Sequence, residues 1–162
     1  MGRARIVDPD TERPPAVDGL PVLDQVVVQG DAARAQCELA LPFDLRSRSR
    51  LRARLSDGRE VAVVLPRGTV LRGGVLLAGA GMLVRVVAAD EDIVDARADS
   101  AIALARAAYH LGNRHVPVQV CEDRLVLGYD PVLVDMLVRM GVRIQRGWAP
   151  FEPEGGAYGH AH

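Results

Sequence analysis

Apolar and polar residues alternate most regularly between Ser49 and Leu65. Leu51, Ala53, Leu55, Val61, Val63 and Leu65 occupy odd positions, and Arg48, Arg50, Arg52 and Arg54 occupy even ones. Successive side chains of a strand point to opposite faces, so these two sets mark the two faces of one hairpin. A two-residue Asp57-Gly58 loop would set Leu55 opposite Glu60 and mix the faces. A three-residue loop, Ser56-Asp57-Gly58, keeps them apart, with Gly58 in the left-handed conformation. The arginines then form a solvated sheet face. Val26-Val27-Val28, within Gln25 to Gln29, is a second β-like run. Val70 to Leu77, punctuated by Arg72-Gly73-Gly74, is another. Residues 21–79 therefore read as a small all-β domain.

Beyond it the period changes. Met82 to Ala88 reads as a strand that resumes at Ile93-Val94. Ala101, Leu104, Ala105, Ala108 and Leu111 have helical spacing, with Asp99 or Ser100 as the N-cap, Gly112 as the terminating residue and Pro117 forbidding continuation. Val116 to Val120 and Arg124 to Leu127 form a hairpin around Glu122-Asp123. Asp130-Pro131 supplies an N-cap and a first-turn proline. Leu133, Met136, Leu137 and Met140 follow as one helical face, which Gly141 ends. Val142 to Arg146 is a final alternating strand. The order β-α-β-β-α-β over residues 80–148 is ferredoxin-like, and the fold class is α+β. Residues 1–20 show no periodicity and read as a mobile N-terminal segment. Residues 149–162, rich in Pro and Gly, read as a flexible, histidine-bearing tail.

Composition narrows the chemistry. Hydrophobic residues make up 49% of the chain but aromatic ones only 4%, so the core is built from Val, Leu, Ile and Ala. A net charge of −1 argues against nucleic acid or an anionic membrane surface as a bulk partner, leaving a local basic patch at Arg46, Arg48, Arg50, Arg52 and Arg54. Every basic residue is arginine, which removes Schiff-base lysine chemistry and a P-loop lysine from consideration. Cys37 and Cys121 form no Cys-x-x-Cys motif and read as core residues. Apolar runs fall short of the roughly 20 residues that span a bilayer, and Met1-Gly-Arg-Ala-Arg begins no hydrophobic signal core, so the expected compartment is the cytoplasm.

The four histidines carry the most specific suggestion: His110, His115, His160 and His162. Residues five apart on a helix do not share a face, but a break at Gly112 would let His115 point independently of His110. A lone imidazole is a weak anchor, and no compact four-ligand set of the structural zinc type is present. Two routes to a site remain. A two-fold symmetric dimer brings the same residue of both chains together, so His115 can meet its copy. The His160-Ala161-His162 pair can supply further ligands from the tail. Such an open, shared site suits carrying an ion, and imidazoles suit Ni, Cu and Zn. Blander roles stand beside these: His110 as a cation at a helix C-terminus, His115 as a hydrogen-bonded loop residue, and His160 and His162 as a polar chain end. Nothing marks an enzyme: there is no nucleophile motif, Gly-rich phosphate loop or paired-carboxylate arrangement. The strands of the second half lack the paired aromatics that stack RNA bases.

Ala108-Tyr109-His110-Leu111-Gly112-Asn113-Arg114-His115-Val116-Pro117 resembles the signature of the UreE family of urease accessory proteins. The helix Asp130 to Met140 with Gly141, and the stretch Ala149 to Tyr158, are similar to that family's C-terminal half. Leu41-Pro42-Phe43-Asp44-Leu45-Arg46-Ser47-Arg48 with the Asp57-Gly58 hairpin resembles its N-terminal half. The resemblance implies a β domain that receives a partner or peptide, followed by a ferredoxin-like metal-binding domain. It also implies a homodimer that carries Ni(II) as cargo to the assembling urease active site, with Zn(II) and Cu(II) as competitors. The implied partners are the GTPase UreG and the urease apoenzyme–UreD–UreF complex. The interfacial nickel ligand falls on His115, and His160 and His162 match a histidine-bearing tail. Two histidines do not suit high-capacity storage, and Tyr129-Asp130-Pro131 stands where some members carry a second His-x-His pair. The alternative is a scaffold in urease maturation that carries no metal.

Overall fold

The computed structural model describes residues 17–27, 30 and 32–155. In chain order its elements are β1 (Val22–Leu23), β2 (Gln25–Val27), β3 (Cys37–Leu41), α1 (Phe43–Arg46), β4 (Arg50–Arg54), β5 (Glu60–Val64), β6 (Leu76–Gly79), β7 (Met82–Ala88), β8 (Asp90–Arg97), α2 (Ala101–Gly112), β9 (Val118–Val120), β10 (Leu125–Gly128), α3 (Pro131–Arg139) and β11 (Arg143–Pro150). They divide into two compact units. One takes the chain up to Leu39, Arg48–Val70 and Gly74–Val86; the other takes Ala40–Ser47, Leu71–Gly73 and the chain from Val87 on.

The first unit contains a three-stranded sheet ordered β1-β5-β4 and most of a four-stranded sheet ordered β2-β6-β7-β3. The β4–β5 hairpin has the three-residue loop that parity demanded. Leu51 pairs with Val63 and Ala53 with Val61. Leu55 N–H donates to Arg59 O at 2.8 Å across the loop, and Gly58 has φ +88°. Leu55, Val61, Val63 and Leu65 are buried, while Arg48, Arg50, Arg52 and Arg54 are exposed. Arg46 departs from the expected basic patch. It belongs to α1 rather than to the strand, and it is fully buried. Met82–Ala88 pairs with β6 in this sheet. The first strand of the ferredoxin-like motif is instead β8, separate from β7 rather than its resumption.

In the second unit the sheet order is β11-β8-β10-β9, with every neighbouring pair antiparallel. Counted within the β-α-β-β-α-β motif this is the order 4-1-3-2, the ferredoxin-like arrangement. Alternation along the strands makes two unlike faces. Val94, Ala96, Leu125 and Leu127 pack with Ala107 and Leu111 of α2 and Leu137 of α3. Ile93 and Val126 turn the other way and pack with Phe151, Phe43, Cys121 and Ala149. β11 runs past Arg146 to Pro150, because β8 is long enough to pair with it throughout, from Arg97 opposite Arg143 to Asp90 opposite Pro150. No helix among the described residues is long and apolar enough to cross a membrane.

Candidate metal-binding site

The Ser100 hydroxyl accepts from Ala103 N–H at 3.2 Å and starts α2, whose Ala107 and Leu111 are buried. Sequence alone made Gly112 the terminator, yet Gly112 is still helical. The chain reverses hand at His115, with φ 56°. His115 N–H donates to Gly112 O at 2.9 Å and Val116 N–H to Leu111 O at 3.2 Å. These two bonds define a Schellman motif with His115 at its left-handed position, and Val116 packs in the same cluster as Leu111. α3 ends on the same pattern: Gly141 N–H donates to Val138 O at 2.9 Å and Val142 N–H to Leu137 O at 3.0 Å, with Gly141 at φ 82°. Two helices thus share one terminator, with glycine in one and histidine in the other. A side chain at that position costs roughly 1 kcal/mol or more. Strain of this kind is a reason to look for function.

The His115 side chain is exposed and no hydrogen-bond partner for its ring is found among the described residues. As a hydrogen-bonded loop residue it is held through its backbone, by the bond to Gly112 O. His110, in the last turn of α2, is also exposed; its ring lies edge-on to Tyr109 at 5.5 Å, and its carbonyl accepts from Arg114 at 3.0 Å. His160 and His162 lie outside the described residues. Among the described residues no three His, Cys, Asp or Glu side chains are grouped to hold an ion. His115 presents an exposed imidazole outside any such group.

The path of the chain after β11 escaped sequence reasoning, which took residue 149 onward as free tail. Phe151 packs beneath the sheet on Ile93 and Val126. Glu152 N–H then donates to the Gln119 side chain at 2.9 Å, and Glu154 N–H donates to Val118 O at 2.8 Å. The chain thus crosses from β11 to β9, the opposite edge of the sheet, and arrives three residues from His115 in sequence.

Two arginines hold this crossing. Buried Arg46 donates from Nε to Leu41 O at 3.0 Å, and from Nη1 to Leu71 O at 3.2 Å and Glu152 Oε1 at 2.8 Å. Its Nη2 donates to Phe151 O. Arg72 donates to Glu152 Oε2 at 3.2 Å and to Pro153 O, and Gly73 N–H donates to Glu152 Oε1 at 2.7 Å. All of these residues belong to the second unit. Arg46 was missed because its even position extends the exposed stripe; the signal available was Pro42, which starts a short helix and takes Arg46 out of strand register.

Burial alone would raise the Glu152 carboxyl, but hydrogen bonds from Gly73, Arg46 and Arg72 outweigh it and hold the group below its usual value. A carboxylate depressed in the folded state contributes stability that is complete above its unfolded value, about 4.3, and is lost as pH falls through the lower folded value. Glu152→Gln is therefore expected to flatten the acid limb of melting temperature against pH below about pH 4.3, relative to the parent. Parallel acid limbs in the two proteins would contradict this.

Residues 18–89 match the family model described as the N-terminal domain of the UreE urease accessory protein, and residues 91–162 match its C-terminal domain. The chain belongs to the UreE family. The UreE urease accessory protein of Ralstonia nicotianae is 66% identical over 126 residues, covering 77% of this chain and 60% of that protein. That of Burkholderia thailandensis is 60% identical over 125 residues, covering 76% of this chain and 59% of its own length. That of Burkholderia pseudomallei is 58% identical over 125 residues, covering 76% and 62%. The chain thus spans about 60% of the length of these UreE relatives. They are named as accessory proteins rather than enzymes, in keeping with the absence of a catalytic motif. The two UreE matches meet at the junction of β7 and β8.

Proposed function

We propose that this protein is a nickel metallochaperone: a homodimer that binds Ni(II) through His115 of both chains, with His160 or His162 completing the shell, and delivers the ion for assembly of the urease active site. The observation that carries this reading is the exposed imidazole of His115, kept at a strained helix terminus where the sister motif in α3 uses glycine. A symmetric interface along α2 is supported by Ile102 and Tyr109, seven residues apart on one helical face and each 64% exposed. His110, at the end of the same helix, is an auxiliary ligand in this reading. The ferredoxin-like part is the metal carrier and the β-rich part the partner-receiving one. The recipients are UreG and the urease apoenzyme–UreD–UreF complex, in the cytoplasm.

Imidazoles form an exchangeable site: a tail ligand leaves as a recipient's ligand enters. Zn(II) and Cu(II) compete because they favour the same donors. Calorimetric titration with Ni(II), with sedimentation analysis of the same samples, is expected to give one ion held between two chains. One ion per isolated chain would overturn the shared site. A dimer that takes up no Ni(II) would instead make the protein a scaffold of the maturation complex.

A further inference from the structure

We infer that the outer edge of β4 is a strand-addition site for an extended partner segment in which acidic and apolar residues alternate. This rests on the reading of the β-rich part as the partner-receiving one, and it names the chemistry received. β4 is the end strand of its sheet, with β5 on one side. Three bonds fix which way its backbone points. Leu65 N–H donates to Ser49 O at 2.7 Å and Leu55 N–H to Arg59 O at 2.8 Å, so the odd-numbered residues turn their peptide groups toward β5. On the far side of β5, Ala62 N–H donates to Pro21 O at 2.9 Å, so Ala62 and the Arg52 opposite it are a pair not bonded to each other. The N–H and C=O groups of Arg50, Arg52 and Arg54 therefore face away from β5. Beyond them the edge is taken, because Ser56 N–H donates to Glu38 O at 2.8 Å. The open stretch is Arg50–Arg54, room for a strand of five residues.

The same three residues carry exposed guanidiniums on one face, while Leu51 and Ala53 lie half-buried on the core face. A strand added antiparallel exchanges both backbone bonds with each of Arg50, Arg52 and Arg54, and residues opposite one another share a face. Positions opposite the arginines therefore call for carboxylates. Positions opposite Leu51 and Ala53 are the pairs without hydrogen bonds, where side chains approach most closely, and apolar residues there extend the core. A second copy of β4 is the wrong occupant, because any register that keeps the core face inward sets arginine against arginine. Arg52 meets Asp18, and Arg54 meets Glu60 at 3.0 Å. Exposed pairs of this kind are weak, so an incoming carboxylate replaces them or shares the guanidinium. Charge on an open edge also wards off indiscriminate pairing, and here its sign selects acidic strands over basic ones.

The test is fluorescence anisotropy of the full chain with a labelled peptide, Gly-Glu-Val-Glu-Val-Glu-Gly, beside a scrambled one, Gly-Val-Glu-Glu-Glu-Val-Gly. The alternating peptide is expected to bind about tenfold or more tightly than the scrambled one. Arg50→Glu combined with Arg54→Glu is expected to weaken it about tenfold or more. N-methylation of the peptide's central glutamate, whose N–H points at β4, is expected to weaken binding about fivefold or more. N-methylation of a valine, whose N–H points to solvent, is expected to change it less than about twofold. The methylated peptides leave the protein unaltered, so they read backbone pairing whatever the charge reversals do to the fold. Equal binding of the two sequences, or indifference to the methylated glutamate, makes the arginines a mere charge patch and overturns strand addition. Binding of neither peptide overturns the inference and leaves the arginines as an edge guard. Co-sedimentation of the unaltered protein with the urease apoenzyme–UreD–UreF complex judges the partner-receiving reading separately: binding there keeps that reading when the peptides fail, and its absence removes it.

Discussion

His115→Gly is expected to abolish Ni(II) capture and, at the same time, to make the protein more stable. The gain follows from the terminator of α2. His115 sits at φ 56° with the two hydrogen bonds of a Schellman motif already made, so glycine keeps those bonds and relieves the steric cost. That relief is about 1 kcal/mol, or roughly 2–4 °C in melting temperature for a chain of this size. The loss of binding is larger. Outer-shell partners of metal ligands alone are worth roughly 10–100-fold in affinity; in the proposed site this change removes a direct ligand from both chains, so the expected loss exceeds about a hundredfold. His115→Ala separates the two effects: it loses the metal but keeps a side chain at the left-handed position, and so gains no stability. Unchanged Ni(II) affinity in either variant would remove His115 from the site. A glycine variant no more stable than the alanine one would show that the position is not strained.

Arg46→Ala is expected to lower stability by about 3–5 kcal/mol, the range for stripping one partner from a buried charged network. It removes one donor from part-exposed Glu152 and leaves the carbonyls of Leu41, Leu71 and Phe151 without the buried guanidinium they accept from. For a chain of this size the melting temperature should fall by on the order of 10 °C. Arg46→Lys recovers little, because a single ammonium does not reproduce the planar fork. Arg52→Ala is the matched control from the same run of arginines. Arg52 is exposed and pairs with Asp18 at the surface, and its loss should stay within about 0.5 kcal/mol. Thermal unfolding followed by circular dichroism reads all three. An Arg46→Ala protein melting within 2–3 °C of the parent, well inside the expected range, would contradict the burial of that charge.

Much of the architecture was legible because it rests on local chemistry. Parity around Asp57-Gly58 specified a three-residue loop, since only an odd loop keeps Leu51, Ala53 and Leu55 on the face of Val61 and Val63. Asp130 before Pro131 specified where α3 begins, and its carboxylate accepts from Val132 and Leu133 N–H at 2.7 and 3.0 Å. The helix and strand order around them was enough to name the ferredoxin-like motif. The Gly-Asn-Arg-His stretch was enough to suggest the family.

Other features depended on which segments meet across the fold. Met82–Ala88 has the pattern of a strand, but pattern does not choose a partner, and it pairs with β6. Gly112 looked like the end of α2 because glycine is the usual left-handed residue; the packing of part-buried Val116 in the cluster of buried Leu111 carries the helix on and moves the reversal to His115. Arg46 has the parity of a solvated stripe. Only the arrival of Leu71 and of Phe151 and Glu152, from far along the chain, makes it a buried, hydrogen-bonded residue.

The sequence by itself determined the hairpin loop, the starts of α2 and α3 and the α+β order, because periodicity, capping and turn chemistry act between neighbours; the interest in His115 came with the family resemblance. Tertiary structure alone decided that His115 occupies a glycine position, that Arg46 is buried, and that the chain after β11 returns to the edge strand beside that histidine. Those outcomes come from burial and hydrogen bonding between segments up to about a hundred residues apart, such as Arg46 and Glu152, and no local pattern encodes such meetings.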